Sequence, residues 1–179
     1  MVKGTNTITF AVGTSGANKT TQVTGANSTA PINIWANADA AGEGFIYVNN
    51  YNDFTTQGAN ITFGGSATAA DTSPGSYAVS STASRGGVSL GNTNGTSNAN
   101  VRITSNGGDI AIRGKATLSN TWGIVGYSGF NVNSGTGRIL MDGYSLSGQG
   151  IDLEGTGSNL GTITSAATSS ATPAISMVG

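Results

Sequence analysis

Two carboxylates stand close together near the end of the chain, Asp152 and Glu154. In an extended strand with Ile151 and Leu153 turned inward, both acids project from one face, with Cα atoms about 6.5–7 Å apart. That overlaps the carboxyl separation of inverting glycosidases, so polysaccharide hydrolysis or lysis is the enzymatic chemistry to weigh. Catalysis would also need a basic partner, a cleft and a perturbed acid. Two solvated acids on a strand are the plainer reading. The chain is therefore expected not to be an enzyme, with no catalytic residues assigned and a hydrolase or lyase kept as the alternative.

Metal chemistry is weighed in the same region. Ser147-Gly-Gln-Gly-Ile-Asp-Leu-Glu-Gly155 partly matches the calcium-binding nonapeptide Gly-Gly-x-Gly-x-Asp-x-U-x. Ser147 replaces the first glycine, Glu154 fills the large apolar position, and no second copy is present to share an ion. A glycine-rich corner leading into a strand explains the segment better. The chain has no Cys and no His, which removes disulfides, thiol chemistry and the usual ligands for zinc, copper and iron. No metal and no cofactor is expected.

The aromatic stretch Gly44-Phe-Ile-Tyr-Val-Asn-Asn-Tyr-Asn-Asp-Phe54 points to recognition instead. With Ile46 and Val48 inward, Phe45, Tyr47 and Asn49 face outward, while Tyr51 and Asp53 fall in the following turn. Aromatic faces beside amides and carboxylates suit sugars, by stacking and hydrogen bonding. Tyr47, Asn49, Tyr51 and Asp53 are thus the candidate glycan contacts, with an exposed Tyr47 as the probe residue. Trp35 precedes the stretch, and Trp122 with Tyr127 forms a lesser cluster. The competing reading is that these rings cover a loop or stack along the core.

Something must position these groups, and composition narrows what. Charged residues are only 8% of the chain and the net charge is −1, so neither a phosphate-binding surface nor a charge-driven disordered chain fits. Nucleic acid is not an expected partner. There is no apolar run long enough for a transmembrane helix. Met1-Val2-Lys3-Gly4 is not followed by the apolar stretch of a signal peptide, although the composition looks secreted. An internal or processed segment is expected. Abundant Gly, Ser, Thr and Asn between short apolar runs suits tight turns and short strands.

Those runs recur. One series is Ile8-Thr-Phe10, Ile32-Asn-Ile34, Ile61-Thr-Phe63, Val88-Ser-Leu90, Ile110-Ala-Ile112, Ile139-Leu-Met141 and Ile163-Thr-Ser165, at steps of 24, 29, 27, 22, 29 and 24. A second series lies between them at Val23, Ile46-Tyr-Val48, Tyr77-Ala-Val79, Val101-Arg-Ile103, Ile124, Ile151-Asp-Leu153 and Ile175-Ser-Met177. Two interleaved series predict a β-solenoid of about seven coils, two strands to a coil, roughly 34 Å long. The outward centres of the first series (Thr9, Asn33, Thr62, Ser89, Ala111, Leu140 and Thr164) are too mixed for an ice-binding array of threonines. Gly108-Asp-Ile-Ala-Ile-Arg-Gly114 and Gly137-Arg-Ile-Leu-Met-Asp-Gly143 align without gaps and with their charges swapped. Parallel stacking in register would place Asp109 beside Arg138 and Arg113 beside Asp142. The glycine pairs at 64–65, 86–87 and 107–108, with Asn92, Asn94, Asn98, Asn100 and Asn106, are expected at corners that need positive φ. Asn-x-Ser/Thr at Asn18, Asn27, Asn60 and Asn94 is what chance supplies in such a chain.

Gly107-Gly-Asp-Ile-Ala-Ile-Arg-Gly114 with Gly-Phe-Asn-Val-Asn-Ser-Gly at 129–135 resembles the repeats of filamentous haemagglutinin-type large exoproteins. So does Gly150-Ile-Asp-Leu-Glu-Gly155 with the Gly-Ser-Asn-Leu-Gly-Thr-Ile-Thr stretch after it. These are bacterial adhesins exported through a partner outer-membrane transporter, and autotransporter passengers look similar. The resemblance is clearest over residues 100–165. It implies an all-β, right-handed parallel β-helix at a bacterial surface or secreted, acting in adhesion, biofilm or contact-dependent competition. Residues 1–179 are then one shaft segment of a longer chain or assembly, structural or adhesive in role. Because the ends of a solenoid offer unpaired strand edges, end-to-end self-association is an expected partnership. A glycan or host-surface ligand is the other. A carbohydrate-binding or polysaccharide-degrading β-helix is the alternative function.

Overall fold

From residue 32 onward, apolar residues at alternate positions turn one side of the strands to a common core, and the chain lays its strands down in rotation on three sheets. The computed structural model describes residues 2–3, 8–10, 21–24, 30–36, 44–65, 77–83, 85–91, 101–127, 129–154, 160–168 and 172–179. A first passage runs β1 (Val2–Lys3), β2 (Ile8–Phe10) and β3 (Thr21–Thr24). A second runs β4 (Ile32–Trp35), β5 (Ile46–Val48) and β6 (Asn52–Thr55). The third takes in an extra strand: β7 (Ile61–Gly64), β8 (Ala78–Ser80), β9 (Val88–Leu90) and β10 (Val101–Thr104). Then follow β11 (Ile110–Ala116), β12 (Ile124–Gly126) and β13 (Phe130–Asn133). Last come β14 (Ile139–Ser145), β15 (Ile151–Leu153), β16 (Thr162–Thr164) and β17 (Ile175–Val178).

Pairing assigns β1-β4-β7-β11-β14-β17 to sheet I, with β8 also beside β11. Sheet II is β2-β5-β9-β12-β15, and sheet III is β3-β6-β10-β13-β16. All of these pairings are parallel. The described chain is all-β, with no helix.

Register stacks like upon like. Ile32, Ile61, Ile110, Ile139 and Ile175 form one column in sheet I. Ile8, Ile46, Val88, Ile124 and Ile151 form another in sheet II. In sheet III the column is Val23, Phe54, Ile103, Val132 and Ile163. Residues from all three sheets share one core, against which the half-buried Ile151, Ile163 and Ile175 also pack. Phe54 meets Phe63 edge to face, ring centres 5.2 Å apart. No single strand could bury its apolar side alone, so the stacking itself supplies the stabilisation. Along β11 buried and half-buried residues alternate strictly, the period of a strand with one face in the core.

The two-series reading is corrected here. Its first series is divided among all three sheets: Ile32, Ile61, Ile110 and Ile139 lie in sheet I, Ile8 and Val88 in sheet II, and Ile163 in sheet III. Its second series is likewise mixed, and Tyr77-Ala-Val79 belongs to the inserted β8 region instead of a sheet-II or sheet-III position. The outward centres weighed as an ice-binding ladder therefore do not share a face. The swapped-charge register is as expected, with Ile110 opposite Ile139 and Arg113 opposite Asp142 over seven paired positions.

The corners also differ from expectation. Of the paired glycines, only Gly107 has positive φ among the described residues, at 122°, next to Asn106 at 52°. Gly108 is required for another reason: a Cβ there would be driven into the Ala59 carbonyl of the preceding turn. Asn92, Asn94, Asn98 and Asn100, and the Asn-x-Ser/Thr sites at Asn18, Asn27 and Asn94, lie outside the described residues.

Candidate functional site

Three places on the outside of the stack gather polar and aromatic side chains. The first is the outer face of sheet I across β11 and β14. Arg113 Nε lies 3.2 Å from Asp142 Oδ2. Tyr77 donates its hydroxyl to the same oxygen at 2.9 Å, and the Arg113 guanidinium sits 5.7 Å from the Tyr77 ring centre. Burial, and then the Asp142 carboxylate it serves, push the Tyr77 hydroxyl above the usual tyrosine value. At the start of the same strands, Asp109 Oδ1 accepts the backbone N–H of Arg138 at 2.8 Å. Asn60 Oδ1 does the same for the N–H of Asp109 at 2.9 Å. Position for position, a side-chain acceptor on one strand holds the amide of the next.

The second place is the outer face of sheet II, where Tyr47, Ser89, Val125 and Asp152 stand in register. Tyr47 does face away from the core, but it is only 7% exposed, so the expectation of an exposed probe ring is overturned. The connection after β8 brings Arg85 over it, with the guanidinium 4.1 Å from the ring centre. Burial raises the Tyr47 hydroxyl, and Arg85 partly offsets the rise. One position beyond β12, Tyr127 is 4% exposed and its hydroxyl has no hydrogen-bond partner among the described residues. Its pKa is pushed up to about 12, first by burial, with Arg85 pulling down and Glu154, Tyr47 and Asp152 pushing up. Asp152 on β15 and Glu154 just after it thus act electrostatically on the buried Tyr127 phenol, beside Tyr47 and Arg85.

The remaining expected glycan residues are not gathered with Tyr47. Asn49 is buried, and its Oδ1 accepts the N–H of Asn50 at 2.9 Å. Its carbonyl accepts from the buried Asn52 amide at 2.8 Å. Tyr51 occupies the left-handed region at φ 62°, where the chain turns from sheet II to sheet III. Asp53 is on β6, opposite Gln22 and Arg102, and accepts the Thr55 hydroxyl at 2.8 Å. Asn49 and Asn52 therefore hold the corner together, while Asp53 sits on a different sheet from Tyr47. Trp35 is fully buried and donates Nε1–H to Thr62 Oγ1 at 3.1 Å.

The third place is the corner between sheets I and II. There the loop after β11 lies against the loop after β14, forming a shallow cavity of about 330 Å³ lined by Asn120, Thr121, Trp122, Gly148 and Gln149. Trp122 and Tyr127, read together from sequence, stand at opposite ends of β12. Trp122 is instead paired with Gln149, one passage further on, a partnership hidden by 27 residues of separation.

Among the described residues no group of three or more acidic side chains is placed to hold a metal ion. None forms a helix long and apolar enough to cross a membrane. Comparison with protein-family models, curated proteins and solved structures finds no match to this chain.

Proposed function

We propose that the chain is a shaft segment of a right-handed parallel β-helix with a structural or adhesive role, secreted or displayed at a bacterial surface. Right-handedness follows the strong rule for crossovers between parallel strands of one sheet. The described strands follow as five passages around three sheets plus one further strand, against the seven coils that two series suggest. At the usual strand spacing the six stacked strands of sheet I, leaving aside β8, span roughly 24 Å.

One observation supports the structural reading: three of the outward charged groups are engaged by neighbouring parts of the stack. Arg113 is held by Asp142, Asp109 by the Arg138 amide, and Arg85 lies on Tyr47. They act on register instead of converging on a substrate. The adhesive and bacterial part rests on the resemblance of residues 107–114, 129–135 and 150–155 to large-exoprotein repeats. End-to-end docking and a host-surface glycan remain the partners in view.

The test coats beads with the folded protein and counts their attachment to bacterial and host cells, with a heat-unfolded coating as control. Attachment well above the control is expected. Attachment equal to the control removes the adhesive role. Release of new sugar ends from a polysaccharide panel, abolished by Asp152→Asn, would replace the structural reading with the enzymatic alternative.

A further inference from the structure

We propose that the corner cavity at Asn120, Thr121, Trp122, Gly148 and Gln149 binds a single neutral pyranose ring, at the end or branch of a glycan. The inference deepens the adhesive reading above and rests on it.

The corner is built before any ligand arrives. The Trp122 indole donates Nε1–H to Gln149 Oε1 at 3.0 Å, which pins the ring across two successive passages of the chain. The floor is tied in the same way. Ser145 donates its hydroxyl to the Thr121 carbonyl at 2.7 Å and accepts the Gly148 N–H at 2.9 Å. Thr121 closes its own turn on the Leu118 carbonyl at 2.7 Å. A Cβ at Gly148 would run into the Thr121 carbonyl, so the two loops are in direct backbone contact beneath the cavity. Fixing the ring and loops in advance lowers the entropy a ligand must give up.

The chemistry of the lining selects the class. Among the described residues no charged side chain lines the cavity, so phosphate, sulfate or carboxylate would find no counter-charge there. A half-buried indole presents an apolar, electron-rich surface to the C–H face of a pyranose. Gln149 uses its Oε1 on Trp122, which leaves its amide N–H groups to donate to a hydroxyl. Asn120 sits in the left-handed region at φ 57° and places a whole carboxamide, donor and acceptor, on the rim. One amide donor and one complete carboxamide beside an indole match neighbouring sugar hydroxyls above an apolar ring face. A cavity of about 330 Å³ is at the small end for ligand sites and suits one ring with the remaining glycan in solvent.

The chain has two tryptophans and the other, Trp35, is fully buried away from any added sugar, so a ligand-induced change in emission reports on Trp122. The probes are oligosaccharides ending in glucose, galactose, mannose or N-acetylglucosamine, with sialylated and sulfated counterparts, titrated against the whole chain. At least one neutral terminus is expected to shift the emission saturably at millimolar concentration or below. Its acidic counterpart is expected to bind no more tightly. Trp122→Ala, which lacks the fluorescent reporter and is titrated by isothermal calorimetry alongside the parent, should weaken binding by about tenfold or more. Asn120→Gly removes the free carboxamide while keeping the positive φ, and should weaken binding several-fold with an unchanged thermal midpoint. The inference is overturned if no neutral terminus binds, if acidic termini bind more tightly, or if Asn120→Gly binds as the parent does. Bead attachment separates the two readings. Beads that still adhere while neutral sugars do not bind refute this site and leave adhesion standing. Beads that do not adhere refute the adhesive role itself.

Discussion

Two ladders cross the same turns of the chain only a few residues apart, and they differ in what they do. The outer one is built on carboxylates: Asp109 accepts the backbone N–H of Arg138, and Asp142 forms an ion pair with Arg113, on the outer face of sheet I. The inner one is made of hydroxyls at the corner where sheet III passes into sheet I. Thr56, Ser105 and Ser134 are each fully buried there. Thr56 donates to the Ala59 carbonyl at 2.6 Å and Ser134 to the Gly137 carbonyl at 2.6 Å, and Ser105 donates likewise to Gly108. The same hydroxyls lie near the next passage, Thr56 at 3.1 Å from the Ser105 carbonyl and Ser105 at 3.2 Å from that of Ser134. Each closes its own corner, and Thr56 and Ser105 also touch the following one. Water can substitute for a broken exposed ion pair, whereas a buried carbonyl that loses its donor has no replacement. The inner ladder should therefore hold the stack together, and the outer one should mainly select its register.

The strongest way to break that contrast is Gly137→Ala. A methyl group there would be driven into the Gly108 carbonyl of the previous turn, and backbone must move to admit it. Destabilisation of roughly 3 kcal/mol or more is expected, from overpacking against main chain. Chemical unfolding monitored by far-UV circular dichroism measures it. A loss under about 1 kcal/mol would mean the corner is far softer than its close packing implies.

Ser134→Ala comes next. It removes the hydroxyl that serves Gly137, although Ser165 also donates to that carbonyl at 2.6 Å. With a second donor in place, a loss of about 1–2 kcal/mol is expected, toward the low side for a buried hydrogen bond. Pairing it with Ser165→Ala should cost more than the sum of the single changes, because only then is the carbonyl left without a hydroxyl donor. Strict additivity would show that the two hydroxyls do not share the task.

The two ladders were not equally legible in the sequence. Swapped charges in two gap-free segments report register directly, and Arg113 stands opposite Asp142 accordingly. The hydroxyl ladder has a signature too: Thr56, Ser105 and Ser134 each precede by five residues the first isoleucine of a sheet-I strand, Ile61, Ile110 and Ile139. In a chain crowded with Ser and Thr that spacing is camouflaged. Strands were readable as apolar triplets, but sheet membership was not. Ile110-Ala-Ile112 and Ile151-Asp-Leu153 have the same local form, and nothing local tells sheet I from sheet II. The inserted β8 region stretches the interval from Ile61 to Ile110, so no single period survives. Tyr47 was correctly turned outward, yet the Arg85 that covers it arrives from a distant connection. Gln149 reaches Trp122 in the same non-local way, across the stack.

Tyr127 sharpens the comparison from the other side, as a buried hydroxyl without a partner among the described residues. Tyr127→Phe should leave stability near neutral pH unchanged or raise it by roughly 1 kcal/mol, because an unsatisfied polar group is removed. Its larger signature is alkaline. The phenol titrates near 10.0 in an unfolded chain and at about 12 in the fold. The folded state therefore keeps a proton that the unfolded state releases. That contribution is complete below pH 10 and is lost as pH rises through about 12. Tyr47 and Tyr77 are shifted in the same direction and act in the same range. Tyr127→Phe should flatten the decline in stability above pH 10 without abolishing it. An unchanged slope would place the Tyr127 hydroxyl in contact with water.

The smallest effect belongs to the outer ladder, and a double-mutant cycle on Arg113 and Asp142 measures it. Arg113→Ala, Asp142→Ala and the double variant should give a coupling of about 0.2–1 kcal/mol, falling as salt is raised. The pair is partly shielded, with side chains 31% and 15% exposed, and Asp142 also accepts from Tyr77. Asp142→Ala should accordingly cost more than Arg113→Ala, since it strips a partner from two groups at once. Reversing the pair as Arg113→Asp with Asp142→Arg keeps the Coulomb attraction and loses the Tyr77 acceptor. It should recover most of the coupling but not all of the stability. A coupling above that of Ser134 with Ser165 would reverse the ranking of the two ladders and put the register-selecting charges, not the buried hydroxyls, in charge of cohesion.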